Sequence, residues 1–127
     1  MTRHIIAGLP PSMSPSSHAV ETDGFVFLTG QFGRNLSDPE QSLPEGIIAQ
    51  TEQTLSNMSH VLGQLGLSFE DVVSVRVYLT HFKRDYNDMN ETYAQFFADG
   101  MRPVRTCVGV TELVRDALIE IDCIAKR

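Results

Sequence analysis

Between Glu45 and Thr80 the apolar residues change period, and that change restricts the chain more than any other feature of its sequence. Ile47, Ile48, Leu55, Met58, Leu62 and Leu65 recur at the spacing of one helix face, and Gly66 stands where a left-handed C-cap would end it. Directly beyond, Val73, Val75, Val77 and Leu79 alternate with Ser74, Arg76, Tyr78 and Thr80, the period of a strand with two chemically different faces. A helix followed at once by such a strand predicts a helix laid on the valine face of a sheet.

The flanking segments extend this pattern. Phe25-Val26-Phe27-Leu28-Thr29, closed by Gly30, reads as a strand buried on both faces. A second helix is expected from about Tyr86 to Asp99, capped by Asp85, with Met89, Tyr93, Phe96 and Phe97 as its apolar stripe and Gly100 at its end. Val104 to Val110 and Ala117 to Ala125 read as two further strands, joined by a polar segment containing Glu112, Arg115 and Asp116. The prolines and serines from Leu9 to Ser17 exclude a helix or central strand and suggest an ordered loop, and Gly33 to Pro44 reads as a polar connection. Two helices and about six strands predict an α+β fold with both helices on one face of a mixed sheet. With 127 residues, 42% of them apolar, a single domain over 1–127 is expected.

Composition narrows the partners. No segment approaches the roughly 18 apolar residues of a membrane span, so a soluble, cytoplasmic protein is expected. Cys107 and Cys123 both fall in strand-like segments, a poor match to a disulfide framework, and are read as reduced. The formal charge of -6 comes from 16 acids against 10 bases, and the only basic pairs are Lys83-Arg84 and Lys126-Arg127. A nucleic-acid partner is therefore disfavoured, since phosphate binding depends on clustered cations.

Arg105, in Pro103-Val104-Arg105-Thr106-Cys107-Val108, is the residue with most chemical promise, because a guanidinium inside a strand cannot shed its charge and needs a partner. Two partners are open. One is Glu120 or Asp122 on a neighbouring strand, giving a structural ion pair. The other is a ligand carboxylate, which the planar guanidinium can hold by two parallel hydrogen bonds. Alternation places Val104, Thr106, Val108 and Val110 on one face and Arg105 and Cys107 on the other; if the valines meet the helices, Arg105 shares the open face with Glu120 and Asp122. Such a mixed face suits a subunit interface, and an oligomer is expected. Arg76 falls on the polar face of its strand, where pairing with Glu120 or Asp122 competes with a role as a second anion contact. His4, His18, His60 and His81 lack metal-ligand spacing, and only His18 lies near the expected cleft loop. Cys107 reads as a small buried cysteine rather than a nucleophile.

Gly30-Gln31 after a strand, Asn90-Glu91-Thr92-Tyr93, Pro103-Val104-Arg105-Thr106-Cys107-Val108 and Ile119-Glu120-Ile121 follow one another in an order that resembles the RidA/YjgF/UK114 family over nearly the whole chain. The resemblance implies a chorismate-mutase-like fold in which three subunits close their sheets into a central barrel, with a ligand cleft at each subunit boundary. It implies hydrolysis of reactive 2-imino and 2-enamino acids to 2-oxo acids and ammonia, with no cofactor and no metal. It assigns Arg105 to the substrate carboxylate, Glu120 to the water, and Gly30, Gln31, Asn90 and Cys107 to the cleft. One departure stands out: Ser14-Pro15-Ser16 occupies the place of a Gly-Pro-Tyr segment, so Ser16 replaces an aromatic ring of the cleft. The rival expectations are a non-catalytic trimer, a regulatory protein that binds small carboxylates or a protein partner through the same clefts, and a ribonuclease, which the acidic balance opposes.

Overall fold

The computed structural model describes residues 1–127. Its strands are β1 (Thr2–His4), β2 (Ala19–Thr22), β3 (Phe25–Phe32), β4 (Val72–Leu79), β5 (Val104–Gly109) and β6 (Ile119–Lys126); its helices are α1 (Gly46–Gln64) and α2 (Phe82–Ala94). They form a mixed six-stranded sheet in the order β1-β2-β3-β6-β4-β5. Only β4 and β5 run parallel, joined by a crossover through α2; every other neighbouring pair is antiparallel. The expected α+β architecture is thus present, with α1 and α2 side by side over one face.

The core lies between the helices and that face. Leu55, Met58, Leu62 and Met89 from the helices meet Val75, Val77, Ile119 and Ile121 from the strands, and none is more than 1% exposed. Each such side chain contributes on the order of 1.5–3 kcal/mol by leaving water. Ile48, counted with the helical stripe from its spacing, instead faces solvent. Helix α1 stops in a Schellman motif: Leu67 N–H donates to Leu62 O at 2.9 Å and Gly66 N–H to Gly63 O at 3.1 Å, while Gly66 takes φ +74°, which costs a residue with a Cβ.

Three local expectations are corrected. Helix α2 begins at Phe82 and ends at Ala94, four or five residues before the span expected; Asp85 lies in its first turn, buried and paired with Arg84 at 2.8 Å, and does not cap it. Strand β3 is buried on one face only: Val26 and Leu28 are covered, whereas Phe25 and Phe27 are about two-fifths exposed (40% and 43%). Val73 is also exposed, because a bulge between Val72 and Ser74 turns Val72 inward in its place. No helix is long and apolar enough to cross a membrane.

Candidate functional site

The orientation of β5 decides where Arg105 acts. In the parallel pairing with β4, Arg105 stands beside Val75 and Cys107 beside Val77. Val75 and Val77 are fully buried under the helices, so Arg105 and Cys107 point to the helix side and Val104 and Val108 to the open side. This reverses the face expected from the valine pattern. Val104, 72% exposed, lies on an edge strand that α2 covers only from behind.

On the helix side Arg105 rests on a platform from α2. Its guanidinium carbon is 4.9 Å from the centre of the Tyr93 ring and 6.0 Å from that of Tyr86, and Nη1 lies 4.0 Å from Met89 Sδ. Tyr86, Asn90 and Tyr93 are spaced four and three residues apart, so they share one stripe of α2. Asn90 Oδ1 and the Tyr93 hydroxyl are buried without a hydrogen-bond partner. Burial pushes the Tyr93 hydroxyl up to about 12 against the opposing pull of Arg105, so the phenol stays neutral. No carboxylate of the chain pairs with Arg105. Asp122 is taken by Arg76, which sits opposite it in the β4–β6 register and donates from Nε and Nη2 at 2.8 and 2.9 Å.

Glu120 lies on the other side of the sheet. Its register neighbours are Tyr78 on β4 and Phe32 on β3, and no salt bridge reaches it. Burial, and secondarily the charge of Asp122, raises its carboxyl above the usual glutamate range. Gly30 makes room for it: a Cβ there would stand 2.6 Å from Glu120 Oε2. The pairing of β3 with β6 shifts register between Leu28 and Gln31, and Gln31 Nε2 donates to Thr29 O at 3.2 Å across that irregularity.

Glu120, Gly30 and Gln31 line a cavity of about 250 Å³ closed by the loop before β2. His18 fastens that loop: its Nδ1 accepts from Ile6 N–H at 2.8 Å, leaving Nε2 to donate to Pro10 O at 3.3 Å. Ser12, Met13 and Ser14 reach the cavity, as do Phe32 and Arg34. Ser16 does not line it; its hydroxyl lies 2.7 Å from Ser12 Oγ and 3.1 Å from Ser14 Oγ on the exposed side of the loop. Of the residues expected from sequence, Glu120, Gly30 and Gln31 come together, Arg105, Cys107 and Asn90 gather on the helix side, and Ser16 stands apart. Arg34, Tyr86 and Tyr93 were missed. The spacing of Tyr86, Asn90 and Tyr93 pointed to the last two, whereas Arg34 sits in a loop with no periodic signal.

Comparison with known proteins agrees with this architecture. A family model described as Endoribonuclease L-PSP matches residues 8–127. The chain belongs to the RidA/YjgF family. Among similar members, a RutC family protein of Aquifex aeolicus is 39% identical over 118 residues, covering 91% of each chain. A mouse protein named 2-iminobutanoate/2-iminopropanoate deaminase is 33% identical over 116 residues, covering 91% of this chain and 84% of its own. The crystal structure of E. coli TdcF with bound serine superposes with a TM-score of 0.87 at 30% identity, covering 98% of this chain and 99% of that one.

Within the RidA/YjgF frame, the cysteines carry little nucleophilic character. Burial raises the Cys107 thiol, outweighing the opposing charge of Arg105, and pushes Cys123 up to about 12. The groups left for chemistry are a guanidinium without an anion and a carboxyl whose pKa is raised above the ordinary glutamate value, on opposite sides of one sheet.

Proposed function

We propose that this RidA/YjgF family member hydrolyses reactive 2-imino and 2-enamino acids to 2-oxo acids and ammonia. The observation that carries the proposal is Arg105, a half-buried guanidinium seated on Tyr93 and Met89 that no carboxylate of its own chain neutralises. A substrate carboxylate would supply the missing charge, held by two parallel hydrogen bonds. Relatives named as 2-iminobutanoate/2-iminopropanoate deaminases favour the same chemistry.

Arg105 and Glu120 face opposite sides of one chain, so the proposal requires a second copy. Arg105 of one subunit meets the Glu120 cavity of the next in a homotrimer, and the exposed Phe25, Phe27, Val104 and Val108 become interface. In the reaction, water adds to the carbon of the C=N bond and a proton passes to nitrogen. The C–N bond then breaks as C=O forms, releasing ammonia; an enamine first takes a proton at its β-carbon. Glu120 accepts the proton from water, and its raised pKa brings a carboxylate closer to the basicity such a step needs. Fixing the carboxylate beside one held water accelerates the step by proximity. Gly30, Gln31, Asn90 and Cys107 line the cleft in this proposal, with Ser16 at its rim.

The test is to generate 2-imino acids with an amino-acid oxidase and follow 2-oxo acid formation. The protein should accelerate it, and Arg105→Ala should lower kcat/KM by roughly 10²-fold, the scale of a lost charge-assisted hydrogen bond. Saturable binding of 2-oxo acids without turnover would favour a carboxylate-binding trimer instead. RNA cleavage that survives full purification and disappears with a site substitution would favour the ribonuclease.

A further inference from the structure

Arg34 lines the same cavity as Glu120, yet it forms no ion pair with Glu120 or any other acid. Its side chain makes one hydrogen bond, a long one from Nη1 to Pro11 O at 3.5 Å. It is also the boundary to a second hollow, shared with Ser12 and Met13 and lined by Arg115 and Glu40. Arg115 is committed: with φ +55°, it sends Nη1 to Pro39 O at 2.7 Å and Nη2 to Gln41 O at 2.9 Å, pinning the loop between β3 and α1. Arg34 therefore stands on the cavity wall with a fixed like charge behind it, in a chain whose net charge is -6.

That placement opposes the charge Arg34 carries. Burial first, and the neighbouring Arg115 second, lower its pKa, and an anion in the cavity would offset both effects. The apolar part of the lining, Leu9, Met13, Leu36, Val61 and Val114, suits a short methylene chain. At about 250 Å³ the space is smaller than the roughly 300–1,000 Å³ of sites for drug-sized molecules, so it fits a small metabolite.

We infer that the cavity receives the side chain of the substrate and that Arg34 pairs with a second carboxylate at its end, so that the preferred substrates are 2-imino acids with acidic side chains. The inference rests on the imine-hydrolysis reading above and adds a specificity determinant to it. A monocarboxylate leaves Arg34 without an anion. A dicarboxylate engages Arg105 of one copy and Arg34 of the next, with the C=N carbon between them near Glu120. Arg34 presents a planar pair of donors, which lysine cannot reproduce.

The experiment compares binding of 2-oxoglutarate and 2-oxobutanoate, as stable product analogues, by calorimetry on the intact protein and on Arg34→Gln, Arg34→Lys and Arg105→Ala. The expected result is that 2-oxoglutarate binds at least roughly tenfold more tightly than 2-oxobutanoate. Arg34→Gln brings that ratio to about one, Arg34→Lys leaves it in between, and Arg105→Ala weakens both ligands. A wild-type preference for 2-oxobutanoate, or a ratio that Arg34→Gln leaves unaltered while the fold is intact by circular dichroism, overturns the inference and leaves the role of Arg105 standing. Absence of 2-oxo acid binding at any concentration, unchanged by Arg105→Ala, overturns both.

Discussion

Arg105 and Glu120 project from opposite faces of the sheet, on strands separated only by β4: Arg105 shares the side of Val75, under the helices, and Glu120 the side of Tyr78, on the open face. One chain therefore cannot bring the two side chains to the same small molecule. In the proposed function each site takes Arg105 from one copy and Glu120 from another. Mixing inactive Arg105→Ala and Glu120→Gln chains after unfolding and refolding together should restore activity at on the order of a quarter of the sites by random assortment. A mixture as inactive as its parents would place both groups in one chain or remove one of them from the chemistry.

Gly30→Ala should lower kcat much more than it lowers Tm. The added Cβ would stand 2.6 Å from Glu120 Oε2, and the atom displaced is the end of a side chain rather than backbone. Glu120 must swing away while the sheet stays paired. Loss of Tm by many degrees with kcat retained would contradict this.

Glu120→Gln should stabilise the fold at pH 8 and have little effect near pH 4. The folded chain holds the Glu120 proton above the ordinary value of 4.5 because of burial and Asp122. That contribution favours the folded state below the ordinary pKa and is lost as pH rises through the folded one, so the charged carboxylate is a cost at high pH that glutamine removes. Urea midpoints at the two pH values check the sign, and a variant less stable at pH 8 would refute it.

Asp122→Asn should move the Glu120 titration downward without restoring it to normal, since burial is the larger cause and Asp122 the smaller. In the pH profile of kcat/KM the acidic limb should shift to lower pH. Stability should change by no more than about 1 kcal/mol, the scale of an exposed cross-strand ion pair such as Arg76–Asp122. An unmoved or upward-shifted limb would separate the limb from Glu120.

Asn57→Ala should cost about 1–3 kcal/mol and loosen the cavity wall. Asn57 is buried on α1 and donates to Phe32 O at 3.0 Å and Arg34 O at 2.8 Å, tying the end of β3 to the helix. Its loss strands the Arg34 carbonyl, leaves Phe32 O with only the Arg34 N–H at 2.9 Å, and frees the segment that carries Arg34. Thermal unfolding gives the stability change, and a variant within 0.5 kcal/mol of the parent, roughly the spread of ordinary surface substitutions, would show that other contacts hold the segment.

The shape of the fold was legible because it rests on local periodicity. The helical recurrence from Ile47 to Leu65 and the alternation from Val73 to Thr80 follow directly from 3.6 and 2 residues per repeat. The start of α2 was not legible. Asp85 has the chemistry of a cap, but tertiary packing buries it inside the first turn, where the adjacent Arg84 takes its carboxylate.

By itself the sequence determined that Arg105 and Cys107 share one side of β5 and that Glu120 and Asp122 share one side of β6, since alternation is a property of any strand. It did not determine how those two parities relate. That was decided by the pairing of β5 with β4, which puts Arg105 beside a buried Val75, and of β6 with β4, which puts Glu120 beside Tyr78. A one-residue slip in either ladder would exchange the faces, and only hydrogen-bond register across strands distant in the chain holds it. The loop that brings Arg34 into the cavity has the same origin, in Asn57 and Arg115, whose contacts span 23 and 76 residues of sequence.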